Sequence, residues 1–201
     1  MCNLYRLTKD LKGAAEAFRV ENAMQGANFG EYVFPGQPGA VIESGRLLQM
    51  TWGFPLTLKG KSGQPLKPKP VNNARTDKLD GNFWRASFVN RRCLIPLTAW
   101  AEAEGAKGAK TRTWLSRPDA EVFAVAGVWR DSAEWGKVYS MIMTDAAGKA
   151  VRVHDRMPVL LSEDQQATWT TGEPDDAFGL CRAWEGELTI AATDEPWAGR
   201  R

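Results

Sequence analysis

The sequence predicts an α+β domain built mostly on an antiparallel sheet with a few short helices. Apolar segments at Ala40 to Glu43, Leu47 to Trp52, Thr111 to Leu115, Val122 to Trp129 and Val138 to Thr144 are short and divided by turns, the rhythm of antiparallel strands. Helical periodicity is confined to two short stretches, one near the start of the chain and one after Ser162. A length of 201 residues with 43% hydrophobic content suffices for one well-buried core, and no linker divides it. A single domain over 1–201 is expected, with its core at about 2–170 and a C-terminal tail at 171–201.

Thr8 can cap a helix from Lys9 to Val20, where Leu11, Ala14, Ala15 and Phe18 recur at helical spacing. A Gly- and Asn-rich segment leads into a loop at Tyr32 to Gly36. The first two strands turn at Ser44-Gly45. From Gly53 to Pro70, four prolines and two further glycines without apolar periodicity predict a long loop, a kind of segment that often carries function. Arg92 to Leu97 reads as a buried strand ending at Pro96, with Cys93 in the core. Glu104 reads as solvent-facing, and turns are expected at Gly105 to Lys110, Pro118-Asp119 and Glu134 to Gly136. Ser162 to Gln165 is a capping box that opens a helix through about Trp169, and a last strand is expected at Leu188 to Ala191.

Composition excludes several classes. With no apolar run near 18 residues and no basic-then-apolar leader, neither a membrane partner nor a secretory signal is expected; the expected location is cytoplasmic, nucleoid-associated when bound to DNA. Cys2, Cys93 and Cys181 are odd in number and lack Cys-x-x-Cys spacing, which argues for reduced thiols. With His154 they lack the short-range ligand pairs of a zinc site, so no metal and no cofactor is expected. The net charge is only +2, yet Lys59 to Arg92 holds nine basic residues against Asp77 and Asp80. That distribution suits a basic face for a polyanion, and equally a solvated loop.

The reactive candidates begin at Cys2. Cysteine is small enough for the initiator Met1 to be trimmed, which would leave an α-amine of pKa about 7.7–8.0 beside a thiol of about 8.5. An aldehyde can condense with that amine and then take the thiol on the same carbon, closing a thiazolidine. The plain alternative is a terminal cysteine without a role. Asn73 offers donors and an acceptor and Arg75 a planar fork for phosphate, or the pair is an Asn-rich turn beside a surface arginine. Phe83-Trp84-Arg85 and Phe88 interleave aromatic and basic groups as stacking on unpaired bases requires, although such spacing more often belongs to a core. Glu102 is an acid or base if enclosed. His154 is the only histidine, so imidazole chemistry near neutral pH falls to it, with Arg156 two positions on.

Together these motifs resemble the SRAP (SOS response-associated peptidase) family of abasic site processing proteins. The resemblance runs from Cys2 to about Trp169 through Tyr32 with Pro35-Gly36, Trp52-Gly53, Asn73-Ala74-Arg75, Arg91 to Pro96, Trp100-x-Glu102 and His154 to Pro158. It implies a compact, β-rich α+β domain whose active site gathers Cys2, Asn73, Glu102 and His154, with Arg6, Arg75, Arg85 and Arg156 as DNA-binding candidates. The implied activity is covalent capture of abasic sites in single-stranded DNA, within the SOS response to DNA damage; a monomer is the default expectation. In that chemistry His154 helps open the sugar, the Cys2 amine attacks its aldehyde, Glu102 moves protons, and an untrapped imine gives lyase-type strand scission. The chain departs from the family at Asn3-Leu4 in place of Gly-Arg, at Ala101 and Ala103 in place of aromatics, and in lacking a Trp-rich wedge after Gly53. These departures touch the grip on DNA more than the reactive centre. Two alternatives stay open: a thiol peptidase using Cys2 and His154, and a non-catalytic single-strand binding module.

Overall fold

The structure, a computed structural model, describes residues 2–24, 27 and 30–197. Its centre is a circuit of five strands. Arg92–Leu97 lies between Pro38–Glu43 and Phe123–Ser132, each of which forms a hairpin with its successor, Arg46–Trp52 and Gly136–Asp145. The end of Arg46–Trp52 then returns to Gly136–Asp145 in parallel, Val138 opposite Thr51 and Tyr139 opposite Trp52. Closure of this kind leaves few unpaired edges. Asn73–Arg75 extends the same seam, parallel to Gly136–Asp145 with Met141 opposite Asn73 and Met143 opposite Arg75.

Strand alternation sorts the side chains into two layers. Val41, Cys93, Ile95, Val125, Tyr139, Met141 and Met143 point to one face, where Tyr5, Trp100 and Leu115 of a second, five-stranded antiparallel sheet meet them. That sheet runs Thr189–Pro196, Thr111–Ser116, Ala99–Glu104, Tyr5–Arg6, Tyr32–Val33. The alternate residues Ile42, Leu94, Ala124, Ala126 and Ile142 point to the other face, beneath Ala14, Phe88, Trp169 and Ala177 of the helices. Each large apolar side chain fully removed from water there contributes about 2–3 kcal/mol before entropy is counted.

Several local expectations change. The first helix is Leu11–Phe18, capped by Asp10 rather than Thr8, because the Asp10 carboxylate accepts from Gly13 N at 2.6 Å. The segment after Gly53 is not all loop: Phe54–Leu56 and Lys69–Val71 pair antiparallel. Gly53 permits this with φ +117° and with Pro70 packed where a side chain would sit. Arg92–Leu97 does not end at Pro96, which stays in register opposite Ala124. Glu104 is half-buried and accepts from the Thr113 hydroxyl. The capping-box helix is Glu163–Thr171, with the Gln165 side chain accepting from Ser162 N at 3.1 Å. The tail adds a helix, Pro174–Gly179, and the last strand is longer than expected, Thr189–Pro196. Arg92 belongs to the core and not to a basic face; its guanidinium donates to the carbonyls of Phe88, Trp169 and Gly172. Trp84 and Phe88 are likewise buried.

Candidate active site

Three segments distant in sequence gather around the one that carries Cys2. The chain before Tyr5–Arg6 continues beside Ala99–Glu104, Ala101 N donating to Leu4 O at 2.9 Å, so residue 2 lies along the strand that carries Glu102. The seam with Gly136–Asp145 brings Asn72 and Asn73 in from another side. Asn72 Nδ2 donates to the Cys2 carbonyl at 2.9 Å and Asn73 Nδ2 donates to the same oxygen at 2.7 Å. The end of Gly136–Asp145 also pairs with Arg156–Pro158, Arg156 opposite Asp145, which sets His154 beside the strand terminus. His154 Nε2 stands 4.0 Å from Glu102 Oε2.

The centre of the site is buried, with His154 partly exposed at its edge. Cys2 is fully buried, and its thiol donates to Leu4 O at 3.4 Å. Burial first, then the Glu102 charge, push the thiol well above the usual cysteine range, so it is protonated at neutral pH. Glu102 retains only 3% of its surface, and desolvation raises its carboxyl to about 7. It therefore exchanges its proton in the range where a general acid or base works best. Desolvation lowers the His154 pKa. His154 Nδ1 accepts from Arg156 N at 2.9 Å, although Asp155 Oδ1 at 2.7 Å would favour a proton on the same nitrogen. Because Nδ1 accepts from a backbone N–H, the neutral ring is assigned its proton on Nε2, the nitrogen on the Glu102 side.

At the rim, Arg75 makes a two-pronged contact with Asp77, Nε to Oδ1 at 2.8 Å and Nη2 to Oδ2 at 2.6 Å. Arg156 lies 3.9 Å from Asp77 and 3.3 Å from Asp145. The other two arginine candidates stand on separate elements. Arg6 stacks 4.4 Å over Trp114, on the side of its strand opposite Tyr5, and Arg85 is exposed at the start of the helix Arg85–Asn90. Initiator removal concerns Met1, which lies outside the described residues.

Sequence reasoning missed Asn72 and Trp52. Trp52 Nε1 donates to Asn72 O at 3.0 Å, and Met141 N donates to that oxygen as well at 3.0 Å. Adjacent asparagines invite a reading in which only one faces inward. Both do, because Asn72 lies in the break between Lys69–Val71 and Asn73–Arg75, where strand alternation does not hold. The missing aromatics at Ala101 and Ala103 also have a structural counterpart: Trp114 is the cross-strand partner of Ala101 and fills the face those small residues leave open.

The chain matches the family model described as SOS response associated peptidase (SRAP) over residues 1–193. It belongs to the SRAP family. Similar proteins include "abasic site processing protein YoqW" of Bacillus subtilis, 25% identical over 204 residues, covering 93% of this chain and 89% of the relative. "Abasic site processing protein YMR114C" of Saccharomyces cerevisiae is 26% identical over 137 residues, covering 62% of this chain and 37% of the relative. Among solved structures, a Bordetella bronchiseptica protein superposes with a TM-score of 0.79 at 23% identity, covering 96% of this chain and 99% of that one. A Bacteroides thetaiotaomicron protein gives 0.77 at 16% identity, covering 95% and 91%. At those identities the structures speak for the fold alone: a compact, β-rich α+β arrangement with mostly antiparallel sheets, as expected. No described helix is long and apolar enough to cross a membrane.

Proposed function

We propose that this SRAP protein handles abasic sites in single-stranded DNA by covalent capture at Cys2, as part of a DNA damage response. The observation that carries the reading is the convergence of Asn73, Glu102 and His154 on Cys2, combined with the names of the relatives. After loss of Met1, the Cys2 amine attacks the C1′ aldehyde of the opened deoxyribose. The carbinolamine loses water with Glu102 supplying the proton, a role suited to a carboxyl that titrates near neutrality. The thiol then adds to the imine carbon, its sulfur bonding C1′ and its proton passing to nitrogen. One water is lost overall, and no oxidant or reductant is needed.

The order matters. A thiol held protonated is a poor first nucleophile, and the amine takes that part. The same burial counts against the peptidase reading suggested by the family description, which needs a thiolate to open the attack. His154 would assist ring opening from the proton on Nε2. Asn73 Oδ1 is buried without a hydrogen bond among the described residues, and a sugar hydroxyl or the Cys2 amine would satisfy it. Arg75 and Arg156 would exchange their carboxylates for flanking phosphates, with Arg6 and Arg85 as candidates for contacts beyond them. An imine released before thiol addition would undergo β-elimination, a lyase side activity.

The test is a denaturing gel of the protein with an abasic oligonucleotide. Wild type is expected to give a DNA-bearing band that Cys2→Ala lacks. An undiminished adduct from Cys2→Ala would sink the mechanism, and cleavage of peptides with no response to abasic DNA would favour the peptidase.

A further inference from the structure

We propose that Asn72 and Asn3 form a clasp that positions Cys2 for its reaction, Asn72 acting as a positioning residue rather than a catalytic one. The inference rests on the capture reading above and deepens it. Asn72 Nδ2 is shared between the Cys2 carbonyl at 2.9 Å and the side-chain Oδ1 of Asn3 at 3.1 Å. One amide nitrogen thus ties the main chain of residue 2 to the side chain of residue 3. Asn3 is also the position at which the start of this chain departs from the family motif.

Geometry explains why Asn73 alone does not suffice. A carbonyl held by one donor can swing about that hydrogen bond, whereas two donors from consecutive residues fix the direction of its peptide plane. That plane sets the direction of the Cys2 Cα, and through it where the amine and the thiol point. The clasp is itself anchored: the Asn72 main-chain oxygen accepts from Trp52 Nε1 and Met141 N. Trp52 is locked by its stack on Tyr139, with centroids 6.5 Å apart at 14°, and by the edge of Tyr5 at 5.0 Å. Asn72 is 8% exposed and Cys2 fully buried, so water does not readily replace the contact between them. The two nucleophiles of Cys2 must reach one carbon in succession, and a misplacement near 1 Å costs on the order of 10²-fold in rate.

The experiment is single-turnover crosslinking to an abasic oligonucleotide across DNA concentrations, with thermal melting of each variant. Asn72→Leu removes both contacts and is expected to lower the maximal rate about tenfold or more, at an unchanged half-saturating DNA concentration. Asn3→Ala, at an exposed position, is expected to give a smaller loss with unchanged melting, and no further loss when combined with Asn72→Leu. A purely structural role would move the melting temperature and leave the maximal rate of the folded fraction alone. Asn3→Ala at the wild-type rate, or losses that simply multiply in the double variant, would overturn the clasp. Its failure is separable from that of capture: if wild type forms no adduct, capture falls, whereas a wild-type adduct with unaffected clasp variants removes only the clasp.

Discussion

His154 Nε2 and Glu102 Oε2 stand 4.0 Å apart, although 52 positions separate them in the chain. The strand Ala99–Glu104 presents Glu102, and the pairing of Arg156–Pro158 with Gly136–Asp145 carries His154 to it. Burial moves both groups toward their neutral forms, raising the Glu102 carboxyl and lowering the His154 imidazole. A neutral imidazole directs its Nε2 proton toward a carboxyl that burial already holds near half-protonation.

Glu102→Gln tests that proton chemistry. With the carboxyl at about 7, the capture rate is expected to change across neutral pH in wild type. The variant should be slower by about 10²–10³ and lose that limb of the profile. The readout is the pH dependence of single-turnover adduct formation. A variant that keeps the wild-type profile would remove Glu102 from the chemistry.

Stability carries the same signature with a definite sign. The folded carboxyl holds its proton up to about 7, above the ordinary 4.5, so between those values the folded state binds more protons than the unfolded one. Unfolding free energy therefore falls as pH rises through this window, by on the order of 3 kcal/mol. Urea titrations at pH 4.5 and pH 8 are expected to show Glu102→Gln gaining stability relative to wild type at the higher pH only.

Gly39 marks the support beneath the site. A Cβ there would lie 1.9 Å from the Tyr139 hydroxyl and 2.3 Å from that of Tyr5, whose oxygens are hydrogen-bonded to each other. Gly39→Ala must part that pair and disturb the Trp52 stack. A loss of about 1–3 kcal/mol is expected in denaturant unfolding, together with slower capture.

Arg75 and Arg156 differ from the central residues in what they should do. Alanine at either is expected to weaken DNA binding regardless of base sequence and to reduce the salt dependence by about one phosphate contact. The maximal capture rate should hold once DNA saturates. Binding isotherms over a range of salt concentrations measure the slope.

The larger plan of the molecule was legible because alternation and turns are local. Ser44-Gly45, with φ of +48° and +72°, turns where the sequence placed it, and Ser162 opens its helix. Cys2, Asn73, Glu102 and His154 were legible only as an ordered set of motifs, and it took the fold to bring them into one place. What stayed hidden depends on neighbours the sequence does not order. Asn72 joins the site because the chain breaks between two short strands. Trp114 replaces the absent aromatics because cross-strand register sets it beside Ala101. Arg92 leaves the basic stretch because the carbonyls of Phe88, Trp169 and Gly172 claim its guanidinium.

The most direct measurement of the central claim is an intact-mass spectrum, under denaturing conditions, of the protein mixed with a single-stranded oligonucleotide bearing one abasic site. Capture at Cys2 predicts a species equal to the protein without Met1 plus the oligonucleotide, less one water. Unshifted protein beside intact DNA, or an adduct that persists in Cys2→Ala, would contradict it.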